Sequence, residues 1–419
     1  GFSAQKYTML YGSENKKKEF PTYWNSLTGD YQVDCSAFDG WCRKDNKELF
    51  NKWFPDKIQK VTKFVDDDRE ASDCLIADKF KGVCVYSHGN SFIKIGNTWT
   101  NDKTRFNAVG MTMTQECDLK KIKINAKGEE VISPYCSNHK QAGNVWKTAL
   151  NKLASNPDDN FAEKFRTSTK EKLCFKNGVL NLRTQEFTAW CDNKDVYTMT
   201  MLDYDFDEIQ NEEKITKVKE IFISIYGEQT TDHLHFLARA IAGNIEDKRW
   251  ALFVGARNCG KGVGEKLLKD TFGPYIGSIS SACLKSKGKM GGDDAKNLGW
   301  IQDIESTRLC FLQECDVEDT KLNGALIKTI ASGGDPIQNR RNYQDFVLSY
   351  PQTTFFMCAN LIPPFAKGTE DCMNEAITFT SQNEYVSQDD IDKKRAEGVH
   401  PDRLALLKVG DPTIKDLFN

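Results

Sequence analysis

Eight consecutive residues, Gly255-Ala256-Arg257-Asn258-Cys259-Gly260-Lys261-Gly262, carry the strongest chemical signal in this chain. They follow the apolar run Ala251-Leu252-Phe253-Val254 and lead into Val263-Gly264-Glu265-Lys266-Leu267-Leu268, which reads as an amphipathic helix. A strand, a glycine loop and a helix in that order make a phosphate cradle. The glycines let the backbone curl until several N–H groups and the positive end of the helix face one anion, and the lysine reaches the β and γ phosphates. The expected nucleotide contacts are therefore Gly255, Ala256, Arg257, Asn258, Cys259, Gly260, Lys261, Gly262 and Val263, with ATP as the ligand. One position departs from the pattern: Gly262 stands where a Ser or Thr hydroxyl ordinarily binds Mg²⁺. The metal must then lean on water, phosphate oxygens and a carboxylate elsewhere.

Hydrolysis requires a second acid on a neighbouring strand to hold the metal and orient the attacking water. Leu309-Cys310-Phe311-Leu312-Gln313-Glu314 is an apolar strand ending in a carboxylate, with Asp316 close behind. Glu314 is thus the candidate catalytic acid and metal ligand; the other reading is a surface acid after a core strand. Thr354-Phe355-Phe356-Met357-Cys358-Ala359-Asn360 forms a third apolar strand, and its terminal amide could bridge the γ phosphate and the water. Between the two lies Ser332 to Phe346, with the paired glycines Gly333-Gly334 marking a sharp turn. Arg340, Arg341 and Tyr343 in this segment suit a nucleic-acid backbone contact, against the alternative of an ordinary basic hairpin.

These residues need a scaffold to hold them. Two helices are expected before the loop, from about Lys214 to Tyr226 and from about Thr231 to Ala242, the second with Leu234, Leu237, Ala238 and Ile241 on one face. Further upstream, Leu173–Leu182 reads as strand, turn and strand, resumed at Phe187–Trp190. Ala142–Leu153 has helical spacing, and Cys84–Tyr86 with Phe92–Ile95 reads as a hairpin followed by a strand at Asn97-Thr98-Trp99. The expected organisation is a mixed helical and β region over 1–140, a small α+β domain over 141–210, a motor over 211–385 and a helical tail over 386–419. The fold class is α/β, a P-loop motor with a mostly parallel sheet preceded by a smaller α+β domain.

A chain of 419 residues with 39% hydrophobic content can bury sizeable cores. No uncharged apolar run is long enough for a membrane span, and no charged-then-apolar signal segment is visible. The opening Gly1-Phe2 leads us to expect a piece of something longer. A net charge of -3 gives no global field for nucleic acid, so any DNA contact must come from a local positive lining. The 14 cysteines include no Cys-x-x-Cys pair, and Cys310, Cys315 and Cys358 lie in or beside apolar strands. They read as small core residues in a reducing intracellular compartment. Cys136-x-x-His139 and Cys84-x-x-x-His88 have metal-ligand spacing but lack a second ligand pair.

Taken together, the motifs resemble those of superfamily 3 primase-helicases of the poxvirus type, found in large DNA viruses, phages and related mobile elements. Lys176-Asn177-Gly178-Val179-Leu180-Asn181-Leu182-Arg183-Thr184 resembles that family's asparagine-glycine signature before the motor. Arg257-Asn258 with Gly260-Lys261-Gly262 is similar to a loop variant of some members. Gly333-Gly334-Asp335, Arg340, Gln344-Asp345-Phe346 and Asn360 resemble the later segments, so the likeness covers roughly Ala142 to Phe379. It implies an AAA+-like motor that assembles as a ring, usually a hexamer. Such a ring works among replication proteins on single-stranded and forked DNA, drawing one strand in the 3′→5′ direction, at a viral replication site in cytoplasm or nucleus. Carried over, Lys261 would hold the phosphates, Glu314 the Mg²⁺ and water, and Asn360 would sense the phosphate. The family also donates an arginine after the sensor strand to the neighbour's ATP. Here Glu370–Phe379 contains none, leaving Lys367, Arg340 or Arg341 as substitutes. That departure keeps a second reading open, a nucleotide-binding DNA scaffold or assembly subunit with weak or no hydrolysis.

Overall fold

The computed structural model describes residues 63–207, 211–285, 294–313, 321–342, 345–411 and 414. Two compact units are present, one combining residues 63–74 with Gln115–Val145 and the other combining Leu75–Thr114 with the chain from Trp146 onward. The first holds a three-stranded sheet in which Leu119–Ile124 pairs in parallel with Lys63–Phe64 and antiparallel with Glu130–Pro134. Among the described residues no helix is long and apolar enough to cross a membrane.

The second unit is organised around five parallel strands, numbered here β1 (Trp250–Gly255), β2 (Ile276–Ser280), β3 (Leu309–Gln313), β4 (Thr354–Ala359) and β5 (Ala376–Ser381). Their spatial order is β2-β3-β4-β1-β5. A sheet of this kind is covered on both faces, so its strands are apolar throughout. Trp250, Ala251, Leu252 and Phe253 are fully buried, and every residue of β4 is buried. Because side chains alternate across the sheet, each strand feeds two cores. Ala251, Phe253, Phe311, Phe356, Cys358 and Phe379 pack on one face. Trp250, Leu252, Cys310, Leu312, Phe355 and Met357 pack on the other.

Three helices cover the first face: α1 (Glu212–Tyr226), α2 (Thr230–Ile241) and α3 (Lys261–Phe272). The Asn211 side chain caps α1 by accepting the Lys214 N–H at 3.0 Å, and Gly227 ends it at positive φ. The expected α2 is present, but its buried face differs from the one its apolar spacing suggested. His233, Phe236, Leu237, Ala240 and Ile241 turn inward, whereas Leu234 is more than a third exposed. The reason is that α2 is apolar on two sides. One side meets the sheet, and Leu234 and Ala238 on the other line an open apolar groove with Phe222, Leu267 and Phe272.

Upstream of the motor, the expected hairpins form. Cys84–Ser87 pairs with Asn90–Ile95 across a turn in which His88 and Gly89 both have positive φ, and Thr98–Thr100 adds a third strand. Phe161 anchors this sheet edge-on to Trp99, with ring centroids 4.7 Å apart. In the Lys172–Cys174, Gly178–Asn181 and Phe187–Ala189 sheet, Asn177 clamps the Phe206 backbone from both sides. Its Oδ1 accepts the Phe206 N–H at 2.9 Å and its Nδ2 donates to the Phe206 carbonyl at 3.1 Å. A Cβ at Gly178 would lie 2.3 Å from the Thr188 carbonyl, so the Asn-Gly pair has a packing role.

Arg308, at the start of β3, is buried and ties these parts to the sheet. It donates to the Thr169 carbonyl at 2.7 Å, to Thr169 Oγ1 at 2.9 Å and to the Ala242 carbonyl at 3.3 Å. His233 is the other notable buried polar group. Its ring stacks on Tyr226 at 3.6 Å and meets Phe356 and Phe379 edge-on, and neither ring nitrogen has a hydrogen-bond partner among the described residues. Burial drives its pKa down to about 3 from an ordinary 6.5. The fold therefore holds the neutral ring. As pH falls below 6.5 the unfolded chain takes up a proton that the folded chain refuses until about pH 3, and stability is lost through that window. The loss amounts to roughly 2 kcal/mol at pH 5, at about 1.4 kcal/mol per unit. His233→Phe is expected to remove this component, so that denaturant titrations at pH 5 and pH 7 differ less in the variant than in the parent by about that amount. An unchanged difference would show that the imidazole is protonated inside the fold.

Candidate nucleotide site

Parallel pairing of β1 with β4 in the register Val254↔Ala359 brings the end of one strand beside the end of the other. In open α/β sheets ligands bind at such carboxyl ends. The glycine loop leaves β1 here and turns into α3 through Asn258 at φ 62° and Gly260 at φ 95°. A side chain at Gly260 is excluded twice, by that left-handed backbone and by Ile225 of α1, whose Cγ1 would lie 2.7 Å from the added Cβ. Cys259 is buried beneath the loop.

Lys261, the first residue of α3, folds back over the loop. Its Nζ donates to the Gly255 carbonyl at 2.5 Å, the Ala256 carbonyl at 3.0 Å and Asn360 Oδ1 at 3.0 Å. Three oxygens satisfy the three N–H bonds of an ammonium. Because the lysine can only donate, Asn360 must present its oxygen to it, which leaves the amide NH₂ to donate to a ligand; it has no protein partner among the described residues. The two residues expected to meet the γ phosphate, from the loop and from the third apolar strand, are thus in direct contact.

Around them opens a cleft of about 880 Å³, within the range of small-molecule sites. Residues 257–260 of the loop, with Lys261, Gly262, Val263, Cys358 and Asn360, line the end where β1 and β4 stop. Its other walls are Ile221, Ser224 and Ile225 of α1 together with Tyr385, Val409, Asp411 and Ile414 from the C-terminal segment. This second wall was not anticipated. Residues 386–419 were expected to form a helical tail; the helices Gln388–Ala396 and Pro401–Ala405 are there, but they connect a parallel strand pair, Glu384–Val386 with Leu407–Val409. That pair is fastened to the loop and to α1. The Tyr385 N–H donates to the Asn258 carbonyl at 2.9 Å, the Tyr385 hydroxyl donates to the Ser224 carbonyl at 2.7 Å, and Asn383 Nδ2 donates to the same carbonyl at 2.9 Å.

Glu265, though in the cleft wall, is held by Lys269 at 2.7 Å and accepts from Ser278 at 3.0 Å, so it serves the fold. Glu314 and Tyr343 lie outside the described residues. Arg340 and Arg341 do not line the cleft of their own chain. The Arg340 guanidinium sits 5.6 Å from the Phe346 ring centre, and Arg341 pairs with Asp303. Gly333 and Gly334 make the expected turn, both at positive φ. Cys310 and Cys358 are buried free thiols, and Cys315 lies outside the described residues. Burial pushes the thiols of Cys84 and Cys136 up to about 12, Cys136 with help from Cys117 and Asp68, away from the thiolate a metal would need. Among the described residues no group of three or more His, Cys, Asp or Glu converges on a metal position.

A parallel α/β sheet whose first strand runs through a glycine loop into a helix, with the loop lysine at the strand ends, defines a P-loop NTPase-like domain. No protein-family model matches the chain. Over 237 residues, 57% of its length, it is 27% identical to "Putative helicase V13" of Sputnik virophage, and it spans 30% of that relative. Among solved structures it is similar to the A form apo structure of the NrS-1 C-terminal region at 13% identity, covering 84% of this chain and 72% of that one with a TM-score of 0.39. A further apo structure of the same region gives 12% identity, coverage of 84% and 74%, and a TM-score of 0.38.

Gly262 offers a direct check of the cleft chemistry. A Cβ there meets nothing within 4 Å, so the missing hydroxyl is not excluded by space. Gly262→Ser should fold at least as stably as the parent, since serine is a better helix former by a few tenths of a kcal/mol. Fluorescent ATP titrations with and without Mg²⁺ should show a larger metal-dependent gain in affinity for the variant. Loss of nucleotide binding would mean instead that the ligand approaches the backbone at this position too closely for any side chain.

Proposed function

We propose that the chain contains the ATP-hydrolysing motor of a viral DNA helicase of the superfamily 3, AAA+-like type. The observation that carries this reading is the contact of Lys261 with Asn360 at the ends of adjacent parallel strands, inside a cleft large enough for a nucleotide. Similarity to the Sputnik virophage protein supports the helicase assignment. In this reading the loop and Lys261 bind the β and γ phosphates, and Asn360 donates to the γ phosphate or the attacking water. The apolar side chains of Ile221, Val409 and Ile414 suit the nucleoside end. Glu314 and water would hold Mg²⁺, which supplies charge neutralisation across the phosphates.

The motor would assemble as a ring, with six subunits as the working expectation, and move along single-stranded DNA to open a forked duplex together with other replication proteins. Arg340, Arg341 and Tyr343 are the proposed DNA contacts. An exposed ion pair such as Arg341–Asp303 is worth at most about 1 kcal/mol, so a DNA phosphate can displace the carboxylate. Gly262 and the absence of arginine from Glu370–Phe379 favour the alternative, a DNA-bound scaffold that holds nucleotide and hydrolyses it slowly.

Lys261→Ala and Glu314→Gln should each abolish steady-state ATP hydrolysis while leaving the circular dichroism spectrum unchanged. In the parent, single-turnover hydrolysis should accelerate when single-stranded DNA is added. Slow hydrolysis indifferent to DNA would favour the scaffold, and full activity in Lys261→Ala would end both readings. For the DNA interaction, the Arg340→Ala/Arg341→Ala double variant should bind single strands more weakly. Its log-affinity against log-salt slope should be shallower by about 0.7 for each phosphate that is no longer neutralised. A parallel slope would place the DNA path elsewhere.

A further inference from the structure

We propose that Arg257 is a catalytic residue acting within its own subunit, its guanidinium engaging the γ-phosphate oxygens as the phosphoryl group transfers. The proposal rests on the NTPase reading and deepens it. Arg257 lies on the rim of the glycine loop and lines the cleft. Its two neighbours are anchored: the Ala256 carbonyl accepts Lys261, and the Asn258 carbonyl accepts the Tyr385 N–H. The backbone on either side is therefore fixed, while the arginine side chain is exposed and has no hydrogen-bond, ion-pair or ring partner among the described residues.

The charge balance of the cleft gives this arginine its significance. Among the described lining residues, the cationic side chains are Lys261 and Arg257, and the acidic ones are Asp411 and Glu265, the latter held by Lys269 and Ser278. Lys261 is one ammonium, already bridging the loop to Asn360, and position 262 brings no hydroxyl for a metal. During hydrolysis the water oxygen bonds to the γ phosphorus and the bond from that phosphorus to the β–γ bridging oxygen breaks. The bonding pair stays on ADP, and the water proton passes to the departing phosphate or to solvent. Negative charge spreads over the three equatorial oxygens and the bridging oxygen as this happens, and a cation placed there accelerates the step whether it comes from a neighbour or from the same chain. A guanidinium presents a planar fork that matches two oxygens at once, which lysine cannot reproduce. Other exposed cations of the domain are placed differently: Arg249 donates to the Asn374 carbonyl, and Arg341 pairs with Asp303.

The test uses the full chain and its Arg257→Ala, Arg257→Lys and Lys261→Ala variants. Arg257→Ala should lower kcat for ATP by about 100-fold or more, with KM and ADP affinity within about threefold of the parent, and Arg257→Lys should recover only a minor part. Independently of turnover, Arg257→Ala should bind ADP normally yet lose the additional tightness that aluminium fluoride confers on ADP in the parent. Mixing Arg257→Ala with Lys261→Ala subunits should restore no hydrolysis, because no cleft then holds both cations. Recovery on mixing would show that the arginine serves a neighbour's site and would overturn the proposal. So would an Arg257→Ala variant that hydrolyses ATP and binds ADP–aluminium fluoride like the parent, in which case the NTPase reading survives. A parent chain that neither binds ADP nor hydrolyses ATP would remove both together.

Discussion

The ammonium of Lys261 is the point on which the geometry of the cleft turns. It is satisfied by two carbonyls of its own loop and by the amide oxygen of Asn360. Two of those bonds are local, but the third crosses from α3 to the end of β4. It exists because the buried strands register Val254 against Ala359. The same ammonium can exchange carbonyl oxygens for phosphate oxygens, which bind it more strongly because they carry charge. In the proposed motor, phosphate entry would thus loosen the loop contacts and change what Asn360 faces. One side chain thus joins the loop to the neighbouring strand.

What surrounds this contact explains why it can be held in place. The sheet is apolar on both faces, and the polar groups inside the domain are few and positional. Arg308 is buried without a carboxylate partner among the described residues, held at the start of β3 by neutral oxygens of Thr169 and Ala242. Burial lowers its pKa, but an arginine stays charged even so. Desolvation of the guanidinium offsets much of what these bonds contribute to stability, and the bonds fix which groups meet. Here they fix the helix Phe161–Thr169 and the end of α2 against the start of β3. Asn177 performs a similar service for Phe206 without a charge.

Much of this was legible in the chain. The loop, β3 and β4 were readable because fully buried parallel strands are short apolar runs that end where polarity resumes, at Gly255, Gln313 and Asn360. The hairpins at 84–95 and 172–181 were readable from their turn residues. The buried side of α2 was not, because Leu234 and His233 compete for the inward position and only the packed sheet decides between them. The role of Tyr385 was hidden as well. Its strand is three residues long, its partner lies more than 20 residues on, and no periodicity marks either. Arg341 read as a free basic residue because its partner, Asp303, is 38 positions away.

In the proposed readings, nucleotide binding and nucleotide turnover would draw on different contacts in this cleft, which makes motor and scaffold distinguishable chemically. In the proposed motor the apolar wall around Val409 and Ile414 would act equally on a bound nucleotide and on its transition state, so it would set affinity alone. Only groups whose contact strengthens as charge moves onto the γ oxygens accelerate the reaction. Asn360 and Arg257, which line the cleft, would be such groups in the proposed motor, and Gly262 would supply none. A motor needs the balance among these few contacts to favour the transition state, and a scaffold with the same fold and the same affinity does not.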